Sequence, residues 1–599
     1  MTESIDEPID LYNKQFKDKF KQNCEEYFDS LVKKTNVSVE ENEALVKKYN
    51  ESKERKNLVE KNKNKQNTFK VCLIVLIIVL AFLAIAFFAK IIDINTAVNI
   101  ILGIVCIAGI IGSIVGVVKL SKKIKNIESE LAKINEEVKN ALEACWAQML
   151  PLNNEYDWNI PSDLMEKTTP LIDLDHEFDV NKFEYLHEKF NFEDNNDPNV
   201  STNYVISGNI YGNPFVLINS YNTEMRDHTY SNSITIHWTT TSRDSKGNTT
   251  THHHEQVLTA SITKPAAAYW YDTRLVFGNE ACPNLSFTRS PHVKSDMSEK
   301  DILKLERDTE KEMSKLAEKA ISNGKSFTPL SNSRFEGMFH AFDRDNEQEF
   351  RLMFTPLAQN NMVKLLQQSP YGDDFYFYKK KQLNYIFSKH SQIQNYRINP
   401  SQFAHYDIVA AKENFIKINT EFFKGLFFDL APLLSVPLYQ QTKTHEYIYN
   451  IPYEAYHTKY EQESIANRFD KRNFVDPNSK TDAILKAKFI QKSGNSDIIN
   501  VEGHTYDKIK HTEVFHKMGG DGRMHSIPVD WYEYLPLTKT TQIELTSVNS
   551  TNKTYKSNYK NFGNKNCVYE RGLLSAIVQN GSSGINEIKD KIDMKVEEK

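Results

Sequence analysis

Hydrophobic and polar positions divide the chain into three textures. Up to Lys70 apolar residues are sparse and fall at helical spacing. Phe16, Phe20, Cys24, Tyr27 and Leu31 mark one amphipathic segment. Leu45, Tyr49, Ser52 and Val59 give a second, highly charged segment a thin stripe, opened by Ser38 and Glu41 as a capping box. Then comes an unbroken run of 19 apolar residues, Val71–Ala89, and a second run, Ile100–Val118. As a helix rising about 1.5 Å per residue, each run spans about 28 Å, close to the thickness of a bilayer core. The short connector from Lys90 to Asn99 admits only a tight helical hairpin, so both flanks lie on one side. After the second run, Leu120, Ile124, Ile127, Leu131, Ile134, Val138, Ala141 and Cys145 recur at alternating steps of four and three. This a/d seam predicts one long helix leaving the membrane, and the seam requires a covering helix. The candidates are the segment from Ser38 to Lys65, running antiparallel, or the same helix of a second subunit. The second case is a homodimer through Leu120, Ile124, Ile127, Leu131, Ile134 and Val138.

From Pro151 the pattern changes. Val180–Phe192 reads as a short amphipathic helix, and after Ser201 apolar and β-branched residues dominate. Ser233–Thr241, a turn around Asp244–Gly247, and Thr249–Ile262 predict a hairpin. Ser298 and Asp301 open a charged connector helix that Gly324 ends. Phe335–Phe342 and Glu349–Phe354 read as another hairpin, followed by a helix with Met362, Leu365 and Leu366. A longer helix runs from about Phe403 to Leu430, stopped by Pro432 and Pro437. Val529–Leu535 reads as strand, and Ile585, Ile588, Ile592 and Val596 as a polar helical tail. The expected fold is α+β: an N-terminal helical stalk with a two-helix transmembrane hairpin, then a two-lobed β-rich soluble domain. The expected divisions are 1–69, the hairpin 70–119 (71–89 and 100–118), the stalk helix 120–150, a β-rich lobe 151–295, the connector 296–325, an α+β lobe 326–580 and the tail 581–599.

Charge sets the orientation. Lys61, Lys63, Lys65 and Lys70 precede the first run, Lys119, Lys122, Lys123 and Lys125 follow the second, and the connector holds one lysine. Positive flanks stay inside, which places both termini in the cytoplasm of a two-span protein of the cell membrane. Neither run holds an ionisable residue, so a channel or transporter built from this chain alone is disfavoured. Ala108, Gly112 and Gly116 form a small-residue stripe suited to close packing against the first run, or against another copy. The acidic, polar N-terminus is no secretory signal peptide. Net charge is −5, with no basic excess for nucleic acid. Six scattered cysteines with no CxxC pair argue for a reducing compartment.

Chemical signatures are thin. The chain lacks a phosphate loop, a dinucleotide fingerprint, HExxH and GxSxG. Gly519–Gly522 is a turn by composition. Asp343–Glu349 has the acidic spacing of a calcium loop, but Gln348 stands where glycine is needed and Phe354 where a bidentate glutamate is needed. The candidate site is histidine clustering on the first hairpin. His252 and His254 share a strand face, and an even-numbered turn would bring His237 to the same face. Three imidazoles could hold a divalent metal such as zinc. The simpler reading is an exposed Thr/His face, since no carboxylate or cysteine lies nearby to complete a tetrahedral set. His504, His511, His516 and His525 form a looser group.

The run Phe335-Glu-Gly-Met-Phe339, then Phe350-Arg-Leu-Met-Phe-Thr-Pro356 and Leu365-Leu366, with His237-Trp238 and Asp244-Ser-Lys-Gly-Asn248, resembles hypothetical membrane proteins of wall-less, AT-rich bacteria. These form an uncharacterised family of bacterial two-span proteins: a polar helical segment, a membrane hairpin and a cytoplasmic α+β domain. The resemblance implies that layout and assigns no activity or site residue. The expected function is a membrane-anchored, cytoplasm-facing scaffold or adaptor, with the bilayer and a protein as partners. The alternatives are a membrane-tethered metal-assisted hydrolase and, with inverted topology, a surface adhesin.

Overall fold

The two apolar runs lie inside two long helices. The computed structural model describes residues 5–89, 96–169, 171–193, 196–243, 245, 247–324, 327–443, 455–548, 566–579 and 585. Residues 90–95 of the predicted connector, positions 244 and 246 in the turn after Arg243, and the tail other than Ile585 lie outside these residues. The helices are α1 (Pro8–Leu11), α2 (Lys17–Thr35), α3 (Val39–Phe88), α4 (Thr96–Asn153), α5 (Ile160–Thr168), α6 (Val180–Phe190) and α7 (Glu299–Ser322). They continue with α8 (Ser333–Phe339), α9 (Glu347–Met353), α10 (Pro356–Leu366), α11 (Lys389–Ile393), α12 (Ile408–Leu434) and α13 (Lys459–Ala466). Contacts divide the chain into two units.

One unit holds 25–156 and 400–417. Ser38 caps α3 by accepting a hydrogen bond from the Glu41 N–H. Helices α3 and α4 are both long and apolar enough to cross a membrane. Only 6% and 17% of their most apolar windows are buried, which leaves that surface free for lipid. They pack on each other: Leu80 and Leu73 come so near Gly109 and Gly116 that an added Cβ would sit 3.0 Å from either leucine methyl. The a/d seam is covered within the chain. Ile124, Ile127, Ile134, Ala141 and Cys145 are buried, and Leu45, Val46 and Tyr49 of α3 pack on Val138, Ala141, Leu142 and Cys145. Lys63 pairs with Glu128 at 2.9 Å across the same two helices.

The other unit holds 1–24, 157–399 and 418–599, and contains two antiparallel sheets. Its strands are β1 (Ile172–Leu174), β2 (Val200–Ile210), β3 (Asn213–Arg243), β4 (Thr249–Gly278), β5 (Ser286–Arg289) and β6 (Phe375–Lys380). The others are β7 (Leu383–Ser388), β8 (Ile484–Ser493), β9 (Ser496–Met518), β10 (Met524–Ser547), β11 (Cys567–Glu570) and β12 (Leu573–Ile577). The first sheet runs β1-β2-β3-β4-β7-β6-β5 and the second β11-β12-β10-β9-β8. Helix α6 buries Phe183, Leu186 and Phe190 against Val216, Ile218 and Val276. Helix α13 supplies Ile465 and Ala466 to the core of the second sheet, with Leu485, Ile499, Val501 and Ile543.

Three expectations are corrected. The segments Phe335–Phe342 and Glu349–Phe354 are not a hairpin; they contain helices α8 and α9. Asn332 and Asn346 cap these helices by accepting from Phe335 N and Glu349 N at 3.0 and 3.1 Å. Phe335, Met338 and Phe339, then Phe350, Met353 and Phe354, are buried at helical spacing. Secondly, the first sheet crosses the division placed at 295–326, because β6 and β7 join β4 and β5. Thirdly, α12 continues through Pro432 to Leu434. The acidic loop between α8 and α9 is spent on structure. Asp343 and Asp345 accept from the N–H groups of Thr288 and Ser286. Glu349 accepts from Asn284, and Glu347 joins Glu336 around the buried guanidinium of Arg344.

Candidate functional site

Strands β3 and β4 run on past their sheet neighbours. Only the first part of β3 pairs with β2, and only the last residues of β4 pair with β7. From about Glu224 to Arg243, β3 pairs with β4 alone, a ribbon roughly 60 Å long at about 3.3 Å per residue. Strands β9 and β10 form a second ribbon in the same way. The two ribbons pack face to face into one arm. Ile236, Leu258 and Ala260 of the first meet Ile527 and Val529 of the second, flanked by Tyr230, Ile234, Trp238 and Phe515. The alternation of side chains puts these residues inward and their neighbours outward.

Gly519–Gly522 forms the turn of the second ribbon, with Gly522 at φ +75°. The Gly520 N–H donates to Gln256 Oε1 at 2.7 Å. A Cβ on Gly520 would lie 2.6 Å from the Trp238 ring, so the approach of the turn requires glycine.

The register corrects the three-histidine face. Arg243 pairs with Thr249, leaving five residues between the strands, and odd positions therefore face odd ones. His254 lies opposite Trp238 and His252 opposite Thr240, while His237 lies opposite Glu255 on the other face. His254 stacks on Trp238 and bonds Thr240 Oγ1 at 2.6 Å. His252 bonds Ser242 Oγ at 3.1 Å. Among the described residues no group of three His, Cys, Asp or Glu side chains is placed to hold a metal ion. The later histidines are likewise dispersed along the second ribbon, His511 with Glu533 and His525 with Asp521.

The outer face of the first ribbon carries Thr229, Ser231, Ser233, Thr235, His237 and Thr239, facing Thr263, Ser261, Thr259, Val257, Glu255 and His253. The fifteen residues from His228 to Ser242 hold no Asp, Glu, Lys or Arg. This leaves the strand edge without the charges that usually guard it.

A second feature lies where the two sheets and α13 meet. A cavity of about 110 Å³ is lined by Tyr204, Arg397, His457, Glu461, Ser547, Glu570 and Arg571, among others. Asp497, fully buried at the start of β9, accepts from the N–H groups of Tyr456 and His457. It also accepts from His457 Nδ1 at 2.8 Å. His457 Nε2 in turn lies 2.8 Å from the Ser547 hydroxyl. His457 is buried and Ser547 is exposed.

Nearby, the Arg397 fork grips the Glu570 carboxylate, and Arg397 and Arg571 both lie over the Trp158 ring. Burial lowers the Arg571 guanidinium below its usual range, and its Nε has no hydrogen-bond partner. Burial also pushes the Glu461 carboxyl up to about 7, against the opposing effects of His457 and Thr458. No short motif announced His457, Asp497 or Ser547, because their partners lie 40 and 90 residues apart in sequence.

No family model, curated protein or solved structure matches the chain.

Proposed function

We propose that the chain is a membrane-anchored interaction protein: the α3/α4 hairpin spans the bilayer, and the β-rich unit faces the cytoplasm and holds a protein partner. The observation that carries this reading is the two-ribbon arm. Long strands with open edges and few charges invite pairing with another chain, and a protein retains such a surface where recognition uses it. The partner adds a strand to the edge of the first ribbon, beside its Thr- and Ser-rich outer face. The lysines flanking both spans support the cytoplasmic orientation. Packing of α3 on the stalk seam supports a stalk formed within one chain.

The test is affinity purification of the full chain from native membranes after cross-linking. Thr239→Lys together with Thr259→Lys would place charges on neighbouring strands of the ribbon. The variant should lose its cross-linked partner while remaining in the membrane fraction. Equal recovery of the same partner from the variant would overturn the arm as the binding surface.

A further inference from the structure

We propose that Ser547, His457 and Asp497 form a nucleophilic site that cleaves esters of short carboxylic acids. The inference stands apart from the arm and rests on the geometry of the cavity. A buried carboxylate accepts from Nδ1 of a buried imidazole, at 2.8 Å. A carboxylate accepts only, so Nδ1 carries the proton and Nε2 presents its lone pair to the Ser547 hydroxyl, also at 2.8 Å. The carboxylate is itself fixed by two backbone N–H groups, which leaves the imidazole little freedom to turn. Nucleophile, base and orienting acid thus follow one another in hydrogen-bond contact, the arrangement that activates serine on unrelated folds. The gradient of exposure also suits catalysis. Asp497 and His457 are enclosed, whereas Ser547 is open to a reactant.

The chemistry balances with water as the second reactant. Ser547 Oγ bonds to the ester carbonyl carbon while its proton passes to His457 Nε2. The carbon–oxygen bond to the alcohol then breaks, and His457 returns the proton to the departing alkoxide. Water attacks the resulting acyl-serine, giving a proton to His457. The bond to Oγ breaks, Ser547 recovers its proton, and the net products are a carboxylic acid and an alcohol. Negative charge develops on the carbonyl oxygen in both halves. Arg571 lines the same cavity and brings a positive charge to it, as does Arg397 beside it. The volume limits the acyl group. A cavity of about 110 Å³ favours a small acyl group such as acetyl or propionyl over a fatty acyl chain.

The experiment uses the full chain in detergent micelles, treated with a fluorophosphonate probe and mapped by peptide mass spectrometry. The same preparation is assayed for hydrolysis of p-nitrophenyl acetate and p-nitrophenyl palmitate. The expected result is a single adduct on Ser547, absent in Ser547→Ala. His457→Gln should slow labelling by at least 100-fold, the usual contribution of a general base, and acetate should be cleaved in preference to palmitate. Ser547 is exposed, so its alanine variant should keep the thermal unfolding profile of the parent and serve as a folded control. No adduct on Ser547 in folded protein, or equal esterase activity in Ser547→Ala, would overturn the proposal.

Discussion

At the scale of single residues, the β-rich unit is organised around ionic groups that water cannot reach. His390 is the clearest. Its Nδ1 lies 2.9 Å from Asp374, and its Nε2 lies 3.3 Å from Asp429 and 3.2 Å from the Gly425 carbonyl. Tyr371 stacks on the ring, and Tyr396 donates to Asp429. Burial alone would lower the imidazole, but the two carboxylates outweigh it and raise His390 from 6.5 to about 10. A folded-state value above the unfolded one means that the charged imidazole stabilises the protein fully below pH 6.5. That stabilisation fades as pH rises from there toward 10. Between pH 6 and pH 9 the loss is on the order of 3 kcal/mol, at about 1.4 kcal/mol per tenfold change in proton activity. Denaturant unfolding of the full chain in micelles, followed by aromatic fluorescence, should show this decline, and His390→Asn should flatten it. An unchanged slope in the variant would assign the pH dependence to other groups.

At the scale of elements, legibility in the sequence followed the range of the interactions involved. Local signals read well. The capping box at Ser38, the Ser298 cap of α7, the Gly519–Gly522 turn and the apolar runs all depend on residues within a few positions of each other. The α8 and α9 segments misled because dense Phe and Met read as strand, although Asn332 and Asn346 were available as caps. The face of His237 turned on whether the hairpin loop held an even or odd number of residues, and five reverses the face. The cavity was not legible at all, since it joins the end of β10, the start of β9 and the loop before α13.

The stalk gives a quantitative test of packing at this scale. Ile134 is 1% exposed in the seam between α3 and α4. Ile134→Ala should destabilise the helix pair by about 2–4 kcal/mol. Leu150→Ala, at an exposed position of the same helix, should cost less than about 0.5 kcal/mol. Proteolytic susceptibility of the stalk in micelles reports both, and equal susceptibility of the two variants would deny the seam its role.

At the scale of the whole molecule, one chain holds an apolar helical hairpin and a unit of two sheets that carries both a ribbon arm and a polar cavity. On the proposed reading, the lysine-rich flanks of the hairpin put the arm and the cavity on the cytoplasmic side. The most direct test is protease accessibility of a C-terminal epitope on the full chain, compared between intact cells and inverted membrane vesicles. With a cytoplasmic C-terminus, the epitope should survive in intact cells and be removed, with the β-rich unit, in inverted vesicles. Loss of the epitope in intact cells, with protection in inverted vesicles, would contradict it.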